Sequence, residues 1–207
     1  MNKNAIYLEG GATGQDSKEV IIRCQQAFSK LLDKMGFEGR KPKLVACGGR
    51  EKVFTRYCTE HSGASGQYIA MWIDSEEPIK NDIEKAWEHL GQLKDVKFFS
   101  KPEGANDDQV LFMTSCMETW IIADIETLKD YYGDKLNTNP LNPKSQTLES
   151  MVRGQALEAI QKATLNCNNP YKKGVESYKI IGKLNPSSLA LRLPSFARVQ
   201  RILDERL

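Results

Sequence analysis

Three acidic residues stand where an acid has chemical consequences. Glu9 closes the apolar run Ala5-Ile6-Tyr7-Leu8 and is followed by Gly10 and Gly11. Asp74 closes a second apolar run, "QYIAMWID" (67–74), and Glu76 follows in "DSEEP" (74–78). Residues two apart in an extended segment point the same way, so Asp74 and Glu76 are expected to share a face. Carboxylates brought together repel one another unless a cation neutralises them. An all-oxygen donor set without histidine or thiolate suits Mg²⁺ or Mn²⁺. Such an ion polarises a phosphoryl group and activates water. Gly10 and Gly11, having no side chains, would let the backbone pass close to a metal-bound phosphate. The loop is not a nucleotide-binding P-loop, because GxxxxGK[ST] is absent. Asp16, further along the loop, reads either as a helix N-cap or as a supplementary ligand.

The elements that must position these acids follow from periodicity. Residues 5–8 form a short apolar strand. From Ser17, the residues Val20, Cys24, Ala27, Phe28, Leu31, Leu32 and Met35 recur on one helical face, and Gly36 supplies a stop. A second strand (44–47) is closed by Gly48-Gly49, and a helix over 50–61 carries Val53, Tyr57 and Cys58 on one side. The run 67–74 is a third strand. Strand, helix, strand, helix, strand is the pattern of a parallel sheet with crossover helices. Strands that are apolar throughout suit a sheet covered on both faces. Residues 109–115 read as a further strand, 116–133 as one helix or two short ones, 134–147 as a surface connection, and 148–207 as helical. The expected organisation is an α/β domain over 1–133 with a helical C-terminal region, 134–207, packed on it or continuous with it. In an open parallel sheet, ligands bind at the carboxyl ends of the strands. Glu9, Gly48-Gly49-Arg50 and "DSEEP" would all emerge at that edge.

Composition narrows the alternatives. The chain has 207 residues, a net charge of +2 and five cysteines. The near-neutral balance excludes a global basic field, so a nucleic-acid partner must be met by a local patch. Without CxxC pairs or Cys/His clusters, zinc is not expected. An odd cysteine count without a leader-like N-terminus points to reduced thiols in a cytoplasm, and no apolar run is long enough for a membrane span. Two histidines leave little material for Ser-His-Asp or Cys-His chemistry.

Other residues extend the site or the fold. Glu118 lies in the apolar stretch "MTSCMETWIIAD" and needs a partner if buried. It reads as an outer member of the acidic site or as a buried ion pair, with Arg50 as the candidate cation. Trp72 and Trp120 read as core. "NPYKKGVESYK" (169–179) offers Lys172 and Lys173 ahead of Gly174, as a phosphate contact or as an exposed lysine pair. Arg192, Arg198 and Arg201 either extend a phosphate-binding edge or solvate a helix. Arg50 either touches phosphate or merely follows a strand end.

"LEGG" after the first strand, with "IDSE" after the third, resembles the Toprim domain of topoisomerases, primases and overcoming-lysogenisation-defect nucleases. That resemblance implies Glu9, Asp74 and Glu76 as metal ligands, with Glu9 also serving in proton transfer. It implies Lys173 as the lysine beside the metal. Glu76 departs from the family's second Asp by one methylene, which bears on metal geometry. A likeness over most of the chain lies in "LEGGATGQDSK", "ACGGR", "WIDSEEP", "DDQVLFMTSCMETWIIAD" and "YKKG" with Ser177. These motifs resemble the prokaryotic domain-of-unknown-function family 4276, Toprim-like and often encoded beside ABC-type ATPases. The resemblance implies a Toprim-like parallel sheet and a divalent-metal-dependent nuclease acting on DNA or RNA, partnered by an ATPase in antiviral defence. The other expectation is a non-catalytic adaptor or regulatory subunit on the same scaffold, which the near-neutral charge favours.

Overall fold

Four strands form one parallel sheet: β1 (Ala5–Glu9), β2 (Lys43–Gly48), β3 (Ile69–Asp74) and β4 (Val110–Met113), in the order β2-β1-β3-β4. This is a computed structural model, and it describes residues 4–10, 17–63, 66–80, 82–93, 99–142 and 147–207. Leu8 lies between Ala46 of β2 and Trp72 of β3. Alternate residues of each strand enter different cores. Ile6, Leu8, Ala70, Trp72, Leu111 and Met113 face one helical layer, and Tyr7, Ile69, Met71, Ile73 and Phe112 face the other. Every residue of β3 is therefore buried, which explains its unbroken apolar sequence.

On the first face, α1 (Ser17–Leu32) presents Val20, Cys24, Phe28 and Leu31, with the Phe28 ring edge-on to Trp72 at 5.0 Å. A wider turn, Asp33–Phe37, ends it where Gly36 adopts φ +90°. On the opposite face lie α2 (Arg50–Gly63), contributing Val53 and Tyr57, and α3 (Ala86–Gln92), contributing Trp87 and Leu90. No periodic pattern in the sequence announces α3. Among the described residues, no helix is long and apolar enough to cross a membrane.

The 116–133 segment is two helices, α4 (Met117–Ala123) and α5 (Ile125–Tyr132). Asp124 separates them because its carboxylate caps α5. It accepts from the Thr127 N–H at 3.2 Å, the Thr127 hydroxyl at 2.7 Å and the Asn185 N–H at 2.7 Å. Four further helices follow: α6 (Arg153–Thr164), α7 (Val175–Ile181), α8 (Pro186–Arg192) and α9 (Pro194–Arg206). Pro186 and Pro194 open the last two, where a missing N–H costs nothing. Ile160, Ile180, Phe196 and Val199 join Leu8, Trp72 and Trp120 in one core, with Trp120 edge-on to Phe196 at 4.9 Å.

The C-terminal arginines are fastened to protein groups. Arg198, 4% exposed, donates to the carbonyls of Val110 and Asp107 at 2.9 and 2.8 Å and pairs with Glu84 at 3.1 Å. Arg192 donates to the Ala123 carbonyl at 3.0 Å, and Arg201 pairs with Glu84 and Glu205. Arg198 thus anchors α9 to the start of β4, the outermost strand in the order. Truncating it would take a buried guanidinium donor from both carbonyls, and the Asp107 carbonyl would keep only the Val110 N–H. Arg198→Ala is expected to lower unfolding stability by about 2–4 kcal/mol, measured by urea denaturation.

Candidate metal centre

The strand order creates the site. The chain leaves β1 for β2 on one side and returns to β3 on the other, and such a reversal opens a crevice at the carboxyl ends of the two adjacent strands. Glu9 ends β1 and Asp74 ends β3, so both acids arrive there. One Glu9 oxygen, Oε2, accepts the Asp74 N–H at 3.1 Å and the Arg50 Nε at 3.3 Å. Asp74 Oδ1 accepts the N–H of Met117, the first residue of α4, at 3.0 Å.

Glu76 arrives by a different route from the one its spacing predicts. The strand ends at Asp74, and Glu76 takes a left-handed backbone, φ +66°. Its N–H donates to the Ser115 carbonyl at 2.9 Å, and the Ser75 N–H donates to Met113 at 3.1 Å. A non-glycine residue there costs about 1–2 kcal/mol, which these two hydrogen bonds help to offset. The fold-back over the end of β4, not strand alternation, turns its carboxylate toward the others. Glu9, Asp74 and Glu76 each offer an oxygen, all within 4.8 Å of one another, and they are the one such grouping of acids, histidines or cysteines among the described residues. Three carboxylates without thiolate or imidazole fit a hard divalent cation.

Charge compensation surrounds the trio. The Arg50 guanidinium bridges Glu9 and Glu76, and Arg153, opening α6, donates to both Glu76 oxygens at 2.8 and 2.6 Å. Arg153 was not singled out in the sequence. It lies 77 positions from Glu76, and nothing local distinguishes it from other helix-starting cations. Among the described residues, no cation is bound to Asp74. Burial first, and then the neighbouring Glu9 carboxylate, push its carboxyl up to about 8; Glu118 adds to the rise, while Lys173 and Arg153 oppose it.

Glu118, completely buried, does not pair with Arg50, whose guanidinium is committed to Glu9 and Glu76. It accepts instead from the Tyr171 hydroxyl at 2.9 Å and from Lys173 Nζ at 3.4 Å. The Ser177 hydroxyl meets that of Tyr171 at 2.6 Å and accepts the Gly174 N–H at 3.2 Å. The segment 171–177 therefore gathers around Glu118, beside Asp74. Lys172 is exposed, and no described contact ties it to the acids. Gly11 and Asp16 lie outside the described residues.

Gly10 has a packing reason to be glycine. A Cβ there would lie 2.5 Å from the Tyr178 hydroxyl and 2.6 Å from the Cys24 sulfur. Its backbone pairs with Gly48, N–H to carbonyl in both directions, at 3.0 and 3.1 Å. A cleft of 1220 Å³ opens beside Glu76, lined by Arg50, Lys80, Glu149 and Arg153 among others. It lies at the acids' edge of the sheet, and its lining carries three cations, Arg50, Lys80 and Arg153, alongside three acids, Glu76, Glu77 and Glu149.

The chain belongs to a family described as a domain of unknown function (DUF4276), whose model matches residues 9–203. No curated protein and no solved structure matches it.

Two outcomes follow from this geometry. Gly10→Ala must displace Tyr178 or Cys24 and is expected to cost about 1–3 kcal/mol of stability in a denaturant titration. For Asp74, the folded carboxyl titrates at about 8 against an ordinary value of 3.8. Between those values the folded state holds the extra proton, so stability falls as pH rises. Thermal melts in chelator, taken across this window, should show a falling Tm for the wild type. Asp74→Asn should flatten that slope and be the more stable protein at its alkaline end.

Proposed function

We propose that this protein is a divalent-metal-dependent nuclease that cleaves a phosphodiester of DNA or RNA, as the effector partner of an ABC-type ATPase in prokaryotic defence. The observation that carries the reading is the convergence of Glu9, Asp74 and Glu76 at the β1–β3 crevice, next to a cleft whose lining includes Arg50, Lys80 and Arg153. The motifs at Glu9, Asp74 and Glu76 add the resemblance to the Toprim domain, and the ATPase partner rests on the family resemblance alone.

The residues divide the work. Glu9, Asp74 and Glu76 would hold Mg²⁺ or Mn²⁺. The ion, when bound, supplies Lewis-acid activation of the phosphate and of a water molecule. Glu9, 18% exposed at its side chain, is placed to exchange a proton with water at its carboxylate. Lys173 pairs with the buried Glu118 at 3.4 Å and acts electrostatically on Asp74; its side chain is 39% exposed, so its ammonium would be open to a phosphate. Such a fixed cation stabilises charge that builds on the phosphoryl oxygens in the transition state. Glu118 and Tyr171 position Lys173 and do not touch the metal in this reading. Gly10 and Lys172 would border the phosphate path.

The adaptor reading draws on Arg50, which already neutralises Glu9 and Glu76 without an ion. One assay separates the two. Labelled DNA and RNA are incubated with wild type, Glu9→Ala and Asp74→Ala in Mn²⁺ or Mg²⁺, with and without a co-encoded ATPase. A nuclease is expected to lose on the order of 100-fold or more in cleavage rate in both variants, with folding intact by circular dichroism. Wild type inactive under every condition would favour the adaptor.

A further inference from the structure

Glu76 is held by two guanidiniums at once, and both of them line the cleft. Arg153 grips both of its oxygens, and Arg50 spans from it to Glu9. These are the same carboxylate groups that would face a cation. A divalent ion that took a Glu76 oxygen would meet two guanidiniums already on that carboxylate, and the cations would then outweigh the three carboxylates. Ion binding therefore competes with the guanidiniums for Glu76, and the two are not equally free. The Arg50 side chain is 12% exposed, whereas that of Arg153 is 46% exposed on the first residue of α6. Arg153 is the one that can swing.

Its destination is set by chemistry. A guanidinium fork that fits a carboxylate on two oxygens fits a phosphate equally well. The cleft beside it carries Arg50 and Lys80 as well as Glu77 and Glu149, and Gly154, next in α6, adds no side chain to obstruct the approach of Arg153.

We propose that Arg153 is an exchangeable counter-charge: it clamps Glu76 in the ion-free protein and is released by the metal to bind a phosphate of the nucleic-acid backbone in the adjoining cleft. This rests on the metal reading given above and assigns the residue that couples metal to substrate. The coupling is reciprocal by linkage, so metal should tighten phosphate binding and phosphate should tighten metal binding. The device keeps Glu76 neutralised until both ligands are present.

The test uses Arg153→Gln, which keeps a polar side chain and removes the charge. Mn²⁺ affinity is measured by isothermal titration without nucleic acid. Oligonucleotide affinity is measured by fluorescence anisotropy with fluorescein-labelled DNA and RNA, run separately, in Ca²⁺ and in EDTA. The variant is expected to bind Mn²⁺ about 3- to 10-fold more tightly, because a competing cation is gone. It should bind the oligonucleotide about 3- to 10-fold more weakly in Ca²⁺ and lose most of the Ca²⁺ enhancement. A purely structural arginine would not move the two affinities in opposite directions. Unchanged or weaker Mn²⁺ binding, or unchanged oligonucleotide binding, overturns the exchange while leaving the metal site standing. Absence of Mn²⁺ binding in the wild type overturns the metal reading itself, and the exchange with it. Should Arg153→Gln fold poorly, Glu76→Gln serves instead: by weakening the clamp it should raise oligonucleotide affinity in EDTA, and no rise refutes the exchange.

Discussion

Carboxylates that meet in a poorly solvated crevice repel one another, and the structure around Glu9, Asp74 and Glu76 is organised by that repulsion. Each acid is answered differently. Glu9 accepts a backbone N–H and a guanidinium, Glu76 accepts two guanidiniums, and Asp74 receives a backbone N–H from the start of α4 together with deep burial. The answering groups come from α2, α4 and α6, elements scattered along the chain. A site of this kind cannot form until the sheet and its helices have docked, and its charges are balanced only in the complete fold.

Glu118 repeats the problem one layer further in. A completely buried carboxylate requires donors, and Tyr171 and Lys173 supply them from the loop before α7. The consequence is positional. A lysine that would otherwise be an ordinary surface residue is fixed beside Asp74, and its ammonium acts on that carboxyl. The apolar setting of Glu118 thus draws the segment 171–177 onto the acidic edge of the sheet.

Several features of this arrangement were legible before any coordinates. Uninterrupted apolar runs ending in Glu9 and Asp74 announced strands buried on both faces, and parallel pairing sends such ends to one edge. The period of Val20, Cys24, Phe28 and Leu31 announced α1, and Gly36 its stop. Trp72 and Trp120 read correctly as core. Other inferences chose the wrong physical cause. Glu76 reaches the trio through a left-handed turn and not through strand alternation, Glu118 pairs with Lys173 and not Arg50, and Arg198 is a buried anchor.

What the sequence determined by itself was the periodic part of the protein. Side-chain alternation and helical repeat are local properties, so the strands, the long helices and the acids that close two strands could be read from neighbours a few residues apart. What only the tertiary structure decided was adjacency: that β1 lies beside β3, that Arg153 meets Glu76 across 77 positions, and that Tyr171 and Lys173 cover Glu118. Those pairings are settled by how two helical layers close over one sheet. No local pattern encodes them, because the energy that selects them is shared among core residues distributed over the whole chain.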